Sequence, residues 1–367
     1  MNMHIVCDPY AIGCSWVSNT LETILQESRK KCTPVVLPPE ALAEPRLGEI
    51  FSECEGRLIV VVGNTISWIN SMLERLGSYN FRIILVDCSA LFASCNVNIV
   101  QTDHSLATRM LVDYLSARSR RRLALYAVNG NAYSDEVKRA AFTEACQGLE
   151  RGDIYYNNGS LGDCFSQFAQ NLSLYDGVIC ANDIAAVHLL KNVSAAGVRV
   201  PEQLSLVSFG GTTIARMVSP SVTTIRLRSQ ELGSQAVELF FFLLRKPDNV
   251  RVRVSVACDI IEGETSPSPS SLRAGISVRS FSPPEPEVIF VNDAVVTDMM
   301  GTELSLRRCD ELDLEIIRCI LRDEKYSVIT DKLFLSESSL KYRIRQLQAK
   351  FGCGSRPELI ARLRKYL

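Results

Sequence analysis

The sequence predicts an α/β protein of two lobes that ends in a small all-α unit. Three observations predict it. Apolar runs of strand length alternate with helical patterns through residues 1–262, the 367-residue length leaves room for two to three domains, and the last fifty-odd residues change to short helical patterns rich in Lys and Arg. The strand-like runs are His4–Cys7, Pro34–Leu37, Leu58–Val62, Arg82–Val86, Leu123–Val128, Gly177–Cys180 and Leu204–Phe209. Between them, apolar residues recur at helical spacing in Trp16–Lys30, Ile66–Leu76, Leu106–Leu115, Glu136–Cys146 and Ile184–Ala196. Strands apolar on every residue belong to parallel sheets covered on both faces, which is the α/β arrangement. Residues 1–262 are therefore read as a two-lobed domain, with chain crossings near 100–103, 226–230 and 247–251.

The C-terminal segment from Leu312 reads LDLEIIRCILRDEKYSVITDKLFLSESSLKYRIRQLQAKFGCGSRPELIARLRKYL. Helical patterns cover Leu312–Arg322, Ser327–Leu333 and Ser338–Phe351, with Ser336 placed to cap the third. Two short helices at a tight turn, the second rich in cations, form a helix-turn-helix that fits the major groove of DNA. Residues 325–367 hold ten Lys/Arg against Asp331, Glu337 and Glu358, a net +7. With −1 for the whole chain, residues 1–324 carry −8, so a basic tail follows an acidic body. The all-α domain is bounded at 307–367.

The letters LFLSESSLKYRI and KFGCGSRPEL resemble the LuxR/NarL-type helix-turn-helix over about fifty-five residues. That resemblance implies that Lys341, Tyr342 and Arg345 face base edges and that Ser336, Ser338 and Arg356 lie near phosphates. The chain departs from the family pattern at Ile329-Thr330 and Ser339-Leu340, and both changes keep the apolar packing.

Residues 177–262 carry a second resemblance. ANDIAAVHLL, GVRVPEQLSLVSFGG and PSVTTIRLRSQELG stand in the order and spacing of the lac-repressor family's ligand-binding core. The implied architecture is a periplasmic-binding-protein-like clamp with a ligand cleft between its lobes. Asn182 matches the family's cleft-facing asparagine, able to donate and accept. The family's arginine falls on Lys138, which keeps the charge and loses the bidentate fork. The family's acidic residue after Gly-Phe becomes Gly210. Near the first strand, Asp8, Tyr10 and Trp16 offer a carboxylate and stacking surfaces, and Asp103, at the first crossing, joins them as a ligand candidate. Asp183 is read as the cap of the helix from Ile184.

Other classes are disfavoured by what the chain contains. No stretch of eighteen apolar residues occurs, and MNMHIVCDPY enters a strand without the layout of an export signal, so a cytoplasmic protein with no membrane partner is expected. Thirteen cysteines include no Cys-x-x-Cys pair and accompany three histidines, which points to reduced, packed thiols and no metal or other cofactor. Walker-type phosphate loops and Gly-x-Ser-x-Gly elbows do not occur, so no catalytic residues are assigned and no enzyme is expected. Residues 263–306 are read as a Ser/Pro-rich linker and an undetermined segment: 265–286 hold seven Ser and five Pro and form a tether, and the more apolar 287–306 are left open between a hairpin and a short helix docking on one of the domains. The expected function is a DNA-binding transcriptional regulator, a homodimer on duplex DNA, whose clamp senses a small effector such as a sugar or related polar compound. Two alternatives stay open: a ligand-free clamp serving for dimerisation, and a solute-binding protein. Transmission of a signal is expected through the dimer interface or through 287–306 rather than along the tether.

Overall fold

A computed structural model describes residues 1–11, 13–38, 49–50, 53–88, 97–266 and 293–367. The continuous Val/Ile/Leu runs lie where their pattern demands, in strands covered on both faces. The first lobe is built on a six-stranded sheet ordered β11 (Arg253–Val256), β5 (Val97–Thr102), β4 (Arg82–Val86), β3 (Leu58–Val62), β1 (Asn2–Cys7), β2 (Thr33–Leu37). Its pairings are all parallel. Helices α1 (Ser15–Ser28), α2 (Ile66–Ser78) and α8 (Ser229–Leu244) cover it, and α8 lies along α1. Gly233 lets them approach: a Cβ there would come within 2.7 Å of the Thr20 carbonyl oxygen.

The second lobe repeats the plan. Its sheet is ordered β12 (Asp259–Ile261), β10 (Thr223–Arg226), β9 (Ser205–Gly210), β8 (Gly177–Cys180), β6 (Arg122–Val128), β7 (Arg151–Tyr156), and only the β10–β12 pair is antiparallel. Helices α3 (His104–Ser116), α4 (Tyr133–Ala145), α5 (Leu161–Ala169), α6 (Asp183–Ala195) and α7 (Thr213–Met217) belong to this lobe.

The chain crosses between sheets at Thr102–Asp103, Arg226–Ser229 and Val256–Asp259. The third was expected near 247–251. It lies later because β11 first returns to pair with β5, the Asn98 side chain taking the Val252 N–H at 3.0 Å. Strands β5, β7, β10, β11 and β12 had no apolar run to announce them. Asn98 interrupts β5, where it is fully buried and donates its amide to the Ile83 carbonyl at 3.3 Å.

Residues 263–266 are not linker. Thr265 accepts the Leu206 N–H and donates its hydroxyl to the Leu206 carbonyl, and Ser266 bonds Thr223 at 2.7 Å, so they extend the second lobe. Most of the expected Ser/Pro tether, residues 267–292, lies outside the described residues. Within the segment left between a hairpin and a short docking helix, Ala294–Arg307 is a regular helix, α9, capped by Asp293. It leads into α10 (Glu311–Leu321), α11 (Tyr326–Leu333), α12 (Glu337–Lys350) and α13 (Arg356–Arg364). α13 was not anticipated, although Ser355 accepting the Glu358 N–H is the start signal of a helix. One buried cluster runs without a break from Ile184, Val187 and Ile214 of the second lobe through Val296, Met299 and Leu306 of α9 to Ile317, Leu340, Leu347 and Leu363. The C-terminal helices are therefore seated on the second lobe by a shared core. Among the described residues, no helix is long and apolar enough to cross a membrane.

Candidate ligand cleft and C-terminal basic helix

A cavity of about 360 Å³ lies between the lobes, within the size range of small-molecule sites. The first strands of each lobe end at it, which is where the carboxyl ends of parallel strands place loops and helix starts. On one side the lobes touch directly. Thr65 and Ala132 form an antiparallel bridge, the Tyr133 N–H donates to the Asn64 carbonyl at 2.8 Å, and the Ile66 N–H donates to the Asn131 carbonyl at 2.9 Å.

The expected ligand residues separate into two groups. Asn182, Lys138, Tyr10 and Trp16 line the cavity. Asp8 and Asp103 do not. Asp8 is fully buried, its Oδ2 accepting the N–H groups of Asn64 and Thr65 and its Oδ1 that of Tyr10, so it shapes a loop. Asp103 caps α3 by accepting the Leu106 N–H at 2.8 Å.

Among the lining residues, much polar capacity is already used. Asn182 is the residue that caps α6, its Oδ1 accepting the Ala185 N–H at 2.9 Å, which leaves the amide NH2 as its donor. The capping role expected of Asp183 is thus filled one residue earlier. Asp183 instead is almost fully buried and accepts from the hydroxyls of Ser208, Thr224 and Thr212 and from the Thr212 N–H. Burial pushes its carboxyl upward, against four hydrogen bonds that favour the anion. Lys138 is buried, donates to Asp135 Oδ1 and to the Ala181 carbonyl at 2.8 Å each, and sits over the Phe209 ring at 4.8 Å. Gly210 has φ +145, and a Cβ there would lie 2.6 Å from Asp183 Oδ2. The Asp183 carboxylate fills the space that an acidic side chain at Gly210 would need.

Sequence reading missed Asp87, His104, Asn129, Asn131 and Asp135 on the cavity wall. His104 Nε2 lies 3.4 Å from Asp87 Oδ1, both side chains being buried. Single polar residues at loop starts carry no spacing signal, and only the fold gathers them. It also missed Met300, Glu303, Leu304 and Arg307 of α9, which form a further wall. Glu303 Oε2 accepts the Ile214 N–H at 2.6 Å and Oε1 that of Thr213 at 3.1 Å. Burial pushes the Glu303 carboxyl up to about 7, with Asp183 adding to the rise and the two N–H groups opposing it. Among the described residues, no three His, Cys, Asp or Glu side chains gather as a metal ion requires.

In the C-terminal helices, Ser336 Oγ accepts the Ser339 N–H at 3.1 Å and so starts α12. Lys341, Tyr342, Arg345, Ser336 and Ser338 are all exposed on α12 or at its start. Arg356 is half-buried, its guanidinium 4.7 Å from the Tyr326 ring centroid. Buried Asp313 holds the base of α12, accepting from Arg343 at 2.7 Å and Lys350 at 2.5 Å. Of the ten cations in 325–367, seven (Lys332, Lys341, Arg343, Lys350, Arg362, Arg364, Lys365) are in ion pairs. Arg345 has no ion-pair partner among the described residues.

Two parallel-stranded lobes, three crossings and a cavity between them define an architecture also found in known proteins. Residues 112–266 match the periplasmic binding protein-like domain. Over that stretch the chain is similar to such domains. The transcriptional repressor PurR of Pasteurella multocida is 26% identical over 99 residues, 27% of this chain and 30% of that protein. Catabolite control protein A of Staphylococcus aureus is 22% identical over 188 residues, 49% of this chain and 55% of that protein. The chain thus spans about a third to about half the length of these curated relatives. The structure of a transcriptional regulator CelR–cellobiose complex superposes with a TM-score of 0.59 at 15% identity, covering 72% of this chain and 84% of that one. At that identity the likeness is one of fold: the two-sheet periplasmic-binding-protein-like fold extends over both lobes.

Proposed function

We propose that this protein is a DNA-binding transcriptional regulator in the cytoplasm, in which a helix-turn-helix of the LuxR/NarL type, α11 and α12, reads the major groove. The periplasmic-binding-protein-like lobes sense a small polar compound. The observation that carries the DNA reading is α12 itself. Asp313 anchors its inner cations while Lys341, Tyr342 and Arg345 stand exposed along it. In that arrangement Lys341 and Arg345 reach base edges, and Ser336, Ser338 and Arg356 lie toward phosphates. One relative is named as a transcriptional repressor and one structure of the same fold as a transcriptional regulator, which agrees with this reading.

The cavity favours a compact, neutral, hydroxyl-rich effector such as a sugar. Its charged groups are mostly paired with one another, whereas Asn129, Asn131, Asn182, Ser134 and Thr212 offer amides and hydroxyls, and Tyr10 and Trp16 offer faces for stacking. One relative of the fold is described with cellobiose. Selection of duplexes by the full-length chain from a random library, followed by Arg345→Ala, tests the DNA reading. The expected result is an enriched motif and a loss of about 1–3 kcal/mol at one position of it. No enrichment over a random pool would remove the reading. A homodimer on a two-fold site is expected, measured by light scattering with and without the selected duplex.

A second reading has a specific observation in its favour. Asn182, Lys138 and Asp183 all spend hydrogen-bonding capacity within the protein. A clamp so satisfied can serve as a scaffold for dimerisation without an effector. Thermal shifts with cellobiose and a panel of monosaccharides and polyols separate the two readings.

A further inference from the structure

We infer that α9 is a strap across the cleft, so that the third wall of the cavity belongs to the C-terminal unit and lobe spacing is tied to the seating of that unit. Three sets of contacts meet on this one helix. Toward the first lobe, Arg307 Nη2 donates to Asn19 Oδ1 on α1, and Met300 Cε would be 3.2 Å from a Cβ on Gly13. Toward the second lobe, Glu303 takes the Thr213 and Ile214 N–H groups, and Asp293 at the helix start takes the Leu161 N–H at 2.8 Å. Toward the C-terminal helices, Asp298 accepts from Lys365 Nζ and Tyr366 Oη at 2.6 Å each, with Arg362 3.7 Å away.

Spacing along the helix explains how one element does this. Met300, Glu303, Leu304 and Arg307 recur at i, i+3, i+4 and i+7, one face of an α-helix, and all four line the cavity. Val296, Met299 and Leu306 turn into the buried core shared with the second lobe and the C-terminal helices. A fourteen-residue helix is about 21 Å of rigid rod. The lobes cannot change their separation on this side of the cleft while both ends of such a rod stay attached.

The two attachments differ in strength. The second-lobe side has a continuous apolar core and a buried carboxylate accepting two N–H bonds. Among the described residues, the first-lobe side has the half-buried Arg307–Asn19 hydrogen bond and the Met300 methyl lying beside Gly13. The helix therefore travels with the second lobe, and Arg307–Asn19 is the latch that opens. Anything that widens or narrows the cleft acts on α9 first, and through Asp298 on the C-terminal helices, without using residues 267–292.

Cys14 lines the cavity beside Gly13, its thiol pushed up to about 12 chiefly by burial, and it serves as a native reporter. Cys180, fully buried in β8, is the internal control for unfolding. The test is alkylation of the full-length chain by iodoacetamide, read peptide by peptide by mass spectrometry. Arg307→Ala and, from the other side of the latch, Asn19→Ala should each speed Cys14 modification at least tenfold with Cys180 unchanged. Cys14 rates within twofold of wild type in both variants would overturn the strap. Parallel acceleration of Cys180 in both would overturn it as well, since the helix would then be a general requirement of folding rather than a latch. No DNA and no effector enter the experiment, so it fails or succeeds independently of the regulator reading.

Discussion

The Glu303 carboxylate accepts the Ile214 N–H at 2.6 Å, joining the strap helix to the second lobe. Burial raises this carboxyl from its ordinary 4.5 to about 7. A group whose folded pKa is raised holds more protons folded than unfolded, so its contribution to stability falls as pH rises from about 4.5 to about 7 and is flat above. The full effect is on the order of 3 kcal/mol by linkage. His4 and His188, both lowered mainly by burial, act in the opposite sense and lose stability as pH falls through the unfolded value of 6.5. The difference between wild type and Glu303→Gln isolates the carboxyl. Urea unfolding of both should show the variant gaining relative to wild type between pH 5 and pH 8, and a constant difference would refute the assignment.

Asp183 is the buried acceptor that ties β9, β10 and the start of α7 together. Asp183→Ala leaves three hydroxyls without that acceptor and should destabilise by about 3 kcal/mol, visible as a lowered Tm. Gly210→Asp should also destabilise, because its Cβ meets the Asp183 carboxylate and adds a like charge. It should not improve binding of cellobiose.

Arg343 and Arg345 are two residues apart on α12 and should behave differently. Arg343→Ala removes a partner of buried Asp313, so stability falls and the sequence preference of bound DNA stays. Arg345→Ala should leave the unfolding free energy within about 0.5 kcal/mol of wild type and relax specificity. With seven of ten cations in ion pairs, the slope of log K against log salt should be much shallower than the value of about −9 that ten free phosphate contacts imply. A slope near −9 would show that these pairs open on DNA.

Phe334 closes α11 at φ +52 with its side chain 96% exposed. Gly adopts this conformation without the Cβ penalty, so Phe334→Gly should hold or raise stability by about 1 kcal/mol. A clear loss in chemical denaturation would show that the ring packs against something in solution.

Asn182→Ala removes the cap of α6 and should cost about 0.5–2 kcal/mol with or without an effector. Asn182→Asp keeps the cap. A cellobiose-induced thermal shift that survives in Asn182→Asp and vanishes in Asn182→Ala would make the cap, and not the amide NH2, the reason for the loss.

The seven apolar runs and five helical patterns were legible because a doubly covered strand has no polar alternation and an amphipathic helix repeats near every 3.6 residues. Ser336 as a helix cap was equally local. Strands β10, β11 and β12 were not legible, since four residues such as RVSV become a strand only when β5 offers its edge. Local pattern likewise could not choose between Asn182 and Asp183 as the cap, a choice made by the hydroxyls of Ser208 and Thr224 waiting across the lobe.

By itself, then, the sequence determined the class of each lobe, the place of the cationic helix and the region of the cleft. Those follow from periodicity and from local chemistry, which every stretch of chain carries with it. Tertiary structure alone decided that the undetermined segment holds the helix Ala294–Arg307 and that this helix is a wall of the cavity. It decided too that Arg343 and Lys350 turn inward to Asp313 while Arg345 has no ion pair among the described residues. The physical reason is that such roles depend on partners tens to hundreds of residues away, as Glu303 and Ile214 are, and a partner's position exists only once the core has formed around it.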